Sequence, residues 1–196
     1  MHMINCDFSH IEGTNCYCSP ESADAIRKEM DSMPLDAVHY IGTGDYHYVS
    51  LFWCEKIAEP FTLVLFDNHP DDQPTAFSSD LLSCGDWVES ARALPNCNES
   101  VWIQHSTDYQ ALAEKDPCKV YLSIDLDVLD PEFAVTDWNQ GTMSTDELCE
   151  MLADLKKRFT IIGCDICGGI SDSKGGTDSD NELNQSTISK ILQILE

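Results

Sequence analysis

The sequence predicts an α/β fold, with three layers (α/β/α) built around a central, mostly parallel sheet. Three observations predict it. Apolar runs of strand length alternate with helix-like patterns along the 196 residues. Runs such as FTLVLF (61–66) are continuously apolar rather than alternating, as strands covered on both faces are. Acids and histidines gather where those runs stop, and parallel sheets bind ligands at the carboxyl ends of their strands.

MINCDFSH (3–10) reads as the first strand and IEGTNCYCS (11–19) as a loop. Ser19 is placed to N-cap a helix over 20–30, with Pro20 at its first position. DAVHYIGTG (36–44) is a second strand, YVSLFWCEKIA (48–58) a helix and FTLVLFD (61–67) a third strand. Residues 73–85 read as loop, DWVESARAL (86–94) as helix, SVWIQH (100–105) as a fourth strand and KVYLSIDLD (119–127) as a fifth. TDELCEMLADLKKR (145–158) is an amphipathic helix capped by Ser144 or Thr145, with Glu147 near its third position. FTIIGCDIC (159–167) is the sixth strand, SDSKGGTDSDNE (171–182) a polar loop and QSTISKILQILE (185–196) a closing helix. No linker or repeat divides the chain, so residues 1–196 are expected to form one domain.

The formal net charge is −24, which repels phosphate backbones and anionic membranes. Nucleic acid and membrane are therefore not expected as partners. Metal ions and small cationic or amine-bearing substrates are. No apolar run approaches the ~18 residues that span a bilayer. MHMINCDFSHIEG lacks the basic and apolar regions of a secretory signal. Ten cysteines without such a signal read as reduced thiols in a cytoplasmic protein. Cys164 and Cys167 have C-x-x-C spacing but no second pair nearby, so they are not read as a zinc site. Neither a G-x-G-x-x-G nor a G-x-x-x-x-G-K motif is present.

The second strand leads into Asp45 and His47, the third into Asp67, His69, Asp71 and Asp72, and the fifth into Asp125, Asp127 and Asp130. These three strand ends are expected to be adjacent, which brings the carboxylates to one rim, where they raise one another's pKa values. A dication removes that penalty, and mixed carboxylate and imidazole donors suit Mn²⁺, Zn²⁺, Fe²⁺ or Ni²⁺. So many acids suggest two ions with bridging carboxylates. The spacing of Asp67, His69 and Asp71, and of Asp125 and Asp127, puts each set on one side of an extended chain. Asp45, Asp72 and Asp130 also suit capping, turn or surface roles. His39 reads as a packed strand histidine, and His2, His10 and His105 have no evident partner.

DNHPD (67–71) and SIDLDVLDP (123–131) match the D-x-H-x-D and S-x-D-x-D-x-x-D-P motifs. In them the chain resembles the ureohydrolase family, the arginase/agmatinase group, whose fold is shared with histone deacetylases. The resemblance runs from about Asp36 to the C-terminal helix. It implies two ions, most readily Mn²⁺, one held by His47, Asp67, Asp71 and Asp125 and the other by Asp67, His69, Asp125 and Asp127. Asp67 and Asp125 would bridge. A metal-bridging hydroxide would attack the substrate carbon, oriented by Asp71.

There are departures from the family pattern. Tyr46 is inserted before His47. Cys84, before Gly85, stands where arginases carry a proton-shuttling histidine. With a depressed pKa it would act as nucleophile or proton donor; otherwise it is a packed small residue. Gly168 stands where the guanidinium-binding glutamate belongs. The segment between the third and fifth strands is short for the family. Asp130 and Asp165 are expected to support the ligands, and Asn15, Trp138, Asn139 and Gln140 to line the substrate pocket from loops. The expected function is metal-dependent hydrolysis of a C–N bond in a small amidine, guanidine or amide. The alternatives are a deacetylase-like amidohydrolase acting on acylated amines and a metal-binding relative without catalysis. Substrate, native metal and oligomeric state are left open.

Overall fold

The computed structural model describes residues 1–74 and 81–196. The elements run β1 (Met3–Asn5), β2 (Tyr17–Cys18), α1 (Pro20–Met30), β3 (Val38–Tyr40), α2 (Val49–Glu55), β4 (Phe61–Phe66) and β5 (Leu82–Ser83). They continue with α3 (Trp87–Arg92), β6 (Cys97–Ile103), α4 (Gln110–Ala113), β7 (Lys119–Asp125), α5 (Thr145–Arg158), β8 (Thr160–Cys167) and α6 (Asp178–Leu195). Six strands form one sheet in the order β1-β3-β8-β7-β4-β6, with every neighbouring pair parallel. These are the six strands that the apolar runs predict.

Alternation along the central strands divides the core. Val64, Phe66, Leu122 and Ile124 face one way and pack with Leu148 and Leu152 of α5 and Ile188 and Ile191 of α6. Phe61, Leu63, Leu65 and Tyr121 face the other way, against Ile26 of α1, Phe52 and Trp53 of α2 and Trp87 of α3. Every residue of β4 is buried, as its unbroken apolar run requires. The result is the expected three-layer α/β/α arrangement. Among the described residues, no helix is long and apolar enough to cross a membrane.

Several elements differ from the sequence reading. The first strand pairs only over Met3–Asn5 and the second only over Val38–Tyr40. Part of the predicted 73–85 loop, residues 75–80, lies outside the described residues. The rest of it contains β5, which pairs antiparallel with β2 in a two-residue ladder, too short to leave a periodic signal. The predicted loop over 171–182 yields at Asp178 to α6. Thr177 accepts from the Asp180 backbone N–H while the Asp180 carboxylate reaches back to the Thr177 N–H, a capping box concealed in polar sequence. The strand order also corrects the rim: β8 lies between β3 and β7, so only the ends of β4 and β7 are direct neighbours.

Ser144 caps α5 as expected, accepting from the Glu147 N–H while Glu147 returns to the Ser144 N–H. Ser144→Ala should lower unfolding free energy by about 1 kcal/mol in chemical denaturation. An unchanged midpoint would show that packing of the α5 apolar face alone holds the helix.

Candidate metal centre

Asp67 is the residue immediately after β4, and it is 1% exposed. Its Oδ1 accepts the backbone N–H of His69 at 2.6 Å. The chain then leaves the extended conformation, and Asp71 adopts φ +46°. That turn aims the Asp71 carboxylate back at the strand end, where Trp87 Nε1 donates to its Oδ2 at 2.8 Å. Asp125 is the last residue of β7, and its Oδ1 accepts the Asp127 N–H at 2.8 Å. Asp127 sits in a 3₁₀ turn over Leu126–Val128 and accepts the Asn68 N–H at 3.1 Å. Alternation on an extended strand is therefore not what gathers these groups. Side chain-to-backbone turns just past the strand ends do it.

His47 follows a 3₁₀ turn over Gly44–Tyr46, which accommodates the inserted Tyr46. His47 Nε2 lies 2.9 Å from Ser123 Oγ, and that hydroxyl donates to Asp165 Oδ1 at 2.8 Å. With its proton committed to Asp165, Ser123 accepts from Nε2–H. In the neutral imidazole the unprotonated Nδ1 then faces the acids. It lies 3.1 Å from Asp67 Oδ2, 3.0 Å from Asp71 Oδ2 and 3.5 Å from Asp125 Oδ2. His69 Nδ1 lies 2.9 Å from Asp127 Oδ2 and 3.5 Å from Asp67 Oδ1.

These distances test the fit of an ion. Donors held about 2.1 Å from one cation, at angles between square and tetrahedral, stand about 3.0–3.4 Å apart. Three sets of donors lie within 4.8 Å of one another, His47–Asp67–Asp71, Asp67–His69–Asp127 and His47–Asp125–Cys167, with Asp67 common to the first two, and the histidine–carboxylate separations of 2.9–3.5 Å are close to such edges. The electrostatics agree. Burial first, and the neighbouring acids second, push Asp125 and Asp127 up to about 6 and raise Asp67 and Asp71. Hydrogen bonds to Asp127 and Asp67 raise His69 to about 10. Burial opposes charge on His47, yet Cys167, Asp67 and Asp71 hold its pKa well above the usual value. Without a cation, then, protons held on the two histidines supply positive charge beside the acids.

The remaining predicted residues divide. Asp165 supports His47 through Ser123. Asp130 does not join the cluster; its carboxylate accepts the Glu132 N–H in the turn before Phe133. Asp72 pairs with Arg92 at the surface. Cys84 lines the pocket, but burial, then Asp71, push its thiol up to about 12. That corrects the depressed pKa a nucleophilic thiolate would need. Trp138 lines the pocket, and its Nε1 donates to Asp45 Oδ1, while Asn15 donates to Asp45 Oδ2. Asn139 offers its backbone oxygen to Asn68, and Gln140 donates to Leu129 and Ala134, so both brace the loop. His39 stacks on Trp53 and bonds to two backbone carbonyls, as a packed strand histidine. His10 pairs with Glu29, contrary to the partnerless reading.

Sequence reasoning missed Ser123 and Trp87, and it set Cys167 aside with the C-x-x-C pair; the leading serine of the S-x-D-x-D motif and that cysteine spacing were the signals on offer. Cys167 Sγ lies 3.1 Å from Asp125 Oδ2. Beside it Gly168 has φ +90°, and a Cβ there would lie 2.1 Å from Asp125 Oδ1 and 2.7 Å from the Leu126 nitrogen. The place of the expected glutamate is thus closed to any side chain.

Comparison with known proteins agrees with this architecture. A sequence model described as the arginase family matches residues 104–168. An uncharacterized protein of Thermotoga maritima is 34% identical over 171 residues, covering 81% of this chain and 68% of that one. A hypothetical agmatinase from Burkholderia thailandensis superposes with a TM-score of 0.63 at 18% identity, covering 90% of this chain and 62% of that one. Proclavaminate amidino hydrolase from Streptomyces clavuligerus gives 0.63 at 15% identity, covering 90% of this chain and 69% of that one. At these identities the superpositions show a shared fold, and this chain spans only about three fifths of the Burkholderia protein.

The titrations predict a pH signature. Asp125 and Asp127, near 6 when folded and about 4 when unfolded, make the folded state hold more protons between those values. Stability of the EDTA-treated protein should fall as pH rises through that window. It should fall further towards pH 10, as the contribution of protonated His69 is lost. A bound divalent ion should reverse this, so the gap in Tm between metal-loaded and metal-free protein should widen from pH 5 to pH 8. A gap independent of pH would contradict the cluster's electrostatics.

Proposed function

This chain belongs to the arginase family, and from that premise we propose that it is a single-domain, binuclear metal-dependent hydrolase of a C–N bond in a small amidine, guanidine or amide. One observation carries the reading: two donor sets sharing Asp67, with ligand-like spacings and, among the described residues, no Lys or Arg paired with their acids. His47, Asp67, Asp71 and Asp125 would hold one ion, and Asp67, His69, Asp125 and Asp127 the other. Mn²⁺ follows the family resemblance, while the donors also suit Zn²⁺, Fe²⁺ or Ni²⁺. When bound, two such ions lower the pKa of water and polarise the substrate's carbon–nitrogen unit.

The chain's own residues supply the rest. Ser123 and Asp165 hold His47 in the tautomer that presents Nδ1. Trp87 anchors one oxygen of Asp71, leaving the carboxylate placed to take a proton from a water in the pocket. Cys84 remains a protonated thiol, able to donate a proton to a leaving nitrogen but not to attack carbon. His69 and Trp138 stand edge to face at the pocket, 6.2 Å between centroids. The Lys174 ammonium lies 5.2 Å over the Trp138 ring and 3.8 Å from Asp45, a setting that suits a cation.

Substrate choice turns on Gly168. A guanidinium bound without a carboxylate lacks its bidentate partner, which disfavours an arginine-like substrate. Manganese-loaded protein should bind about two ions per chain. It should hydrolyse members of an amidine and amide panel faster than arginine or agmatine, read as ammonia, amine or urea release. Asp67→Asn should drop metal content below one ion per chain and turnover more than a hundredfold. Full loading with inactivity across the panel would favour the non-catalytic relative, and failure to bind metal would remove the proposal.

Gly168→Glu gives a sharper check. The Cβ clash with Asp125 predicts loss of metal rather than a gain of arginine hydrolysis. A gain of urea release with metal intact would show that the backbone at 168 can move.

A further inference from the structure

We propose that Cys167 is itself a metal ligand, adding a thiolate to the His47 site and making that position select a thiophilic ion such as Zn²⁺ or Co²⁺ over Mn²⁺. The inference rests on the metal-site reading above and adds a donor that neither family motif contains.

The sheet register places the sulfur. Cys167 ends β8 and stands directly beside Asp125, the end of β7. It is fully buried, and its Sγ, a His47 ring nitrogen and an Asp125 oxygen all lie within 4.8 Å of one another. The oxygen it approaches, Oδ2, is the one that faces His47 Nδ1 at 3.5 Å.

The acceptor and the distance set this thiol apart. Cys6, Cys18, Cys97 and Cys164 donate to backbone oxygens at 3.4–3.7 Å. Cys167 instead meets a carboxylate oxygen of the cluster, at 3.1 Å, a contact open to a thiol donating to an ionised acceptor and to two donors on one ion. A sulfur about 2.3 Å and an oxygen about 2.1 Å from one ion, at a right angle, lie about 3.1 Å apart. Gly168 turns the chain immediately behind it, where a Cβ would lie 2.1 Å from the other Asp125 oxygen, so the backbone that carries Cys167 is set close against Asp125. On metal uptake the S–H bond breaks, an S–metal bond forms and the proton leaves to buffer. A soft sulfur among hard oxygens shifts preference from Mn²⁺ towards Zn²⁺, Co²⁺ and Fe²⁺.

The test loads the metal-free full chain with Co²⁺ to measured stoichiometry and records its absorption. A sulfur-to-cobalt charge-transfer band in the near ultraviolet is expected. It should survive Cys84→Ser, the other thiol lining the pocket, and vanish in Cys167→Ser, with fold monitored by circular dichroism. Competition titrations should show the Zn²⁺-over-Mn²⁺ preference falling at least tenfold in Cys167→Ser. Cobalt bound at two ions per chain without the band, or a band that persists in Cys167→Ser, would overturn the role of Cys167 while leaving the metal centre intact. Failure to bind cobalt at all would overturn both. Should Cys167→Ser not fold, the wild-type and Cys84→Ser spectra decide the question.

Discussion

Four carboxylates, Asp67, Asp71, Asp125 and Asp127, are each under 10% exposed and lie within reach of the same two histidines. Burying one unpaired carboxylate is costly, and burying several against each other in a chain of net charge −24 is more so. The fold offsets part of this with backbone donors: the N–H groups of His69, Asp127 and Asn68 all point into the cluster. Two imidazoles and the Trp87 indole add to that. No Lys or Arg reaches these four acids in any recorded ion pair among the described residues. The remaining positive charge must come as protons or as cations, and everything built around the site holds the donors ready for it.

The sheet supplies that rigidity through register. Ser123 on β7 lies directly beside Asp165 on β8 in the parallel ladder. That pairing holds the hydroxyl against the carboxylate and, through it, fixes which nitrogen of His47 faces the acids. One step of slippage between β7 and β8 would turn one of these side chains to the opposite face and part the pair. The apolar interdigitation that fixes register in the core therefore also sets a tautomer at the rim.

The layer architecture was legible because it is periodic. Long apolar runs report strands buried on both faces, and 3.6-residue patterns report the helices over them. Asp67, His69, Asp71, Asp125 and Asp127 were legible because their motifs cluster chemistry within a few residues. The reason they converge was not: alternation was expected, and turns with a left-handed Asp71 do the work. Turn geometry depends on side chain-to-backbone bonds that no period encodes. Cys167 and Ser123 escaped for a different reason. Their importance comes from strand order, which sets β8 against β7, and sequence runs do not state which strands are neighbours.

Gly168 shows how far that neighbour relation reaches into chemistry. Read along the chain, it is a glutamate missing from its expected place, which suggests decay. In the fold a Cβ at this position would lie 2.1 Å from Asp125 Oδ1, and the backbone has a φ of +90° that side chains rarely adopt. The carboxylate of Asp125 occupies the space that a side chain at 168 would need, and Cys167 braces it from the next position. The lack of a side chain at 168 is thus coupled to the placement of the Asp125 carboxylate, because the same backbone turn sets both.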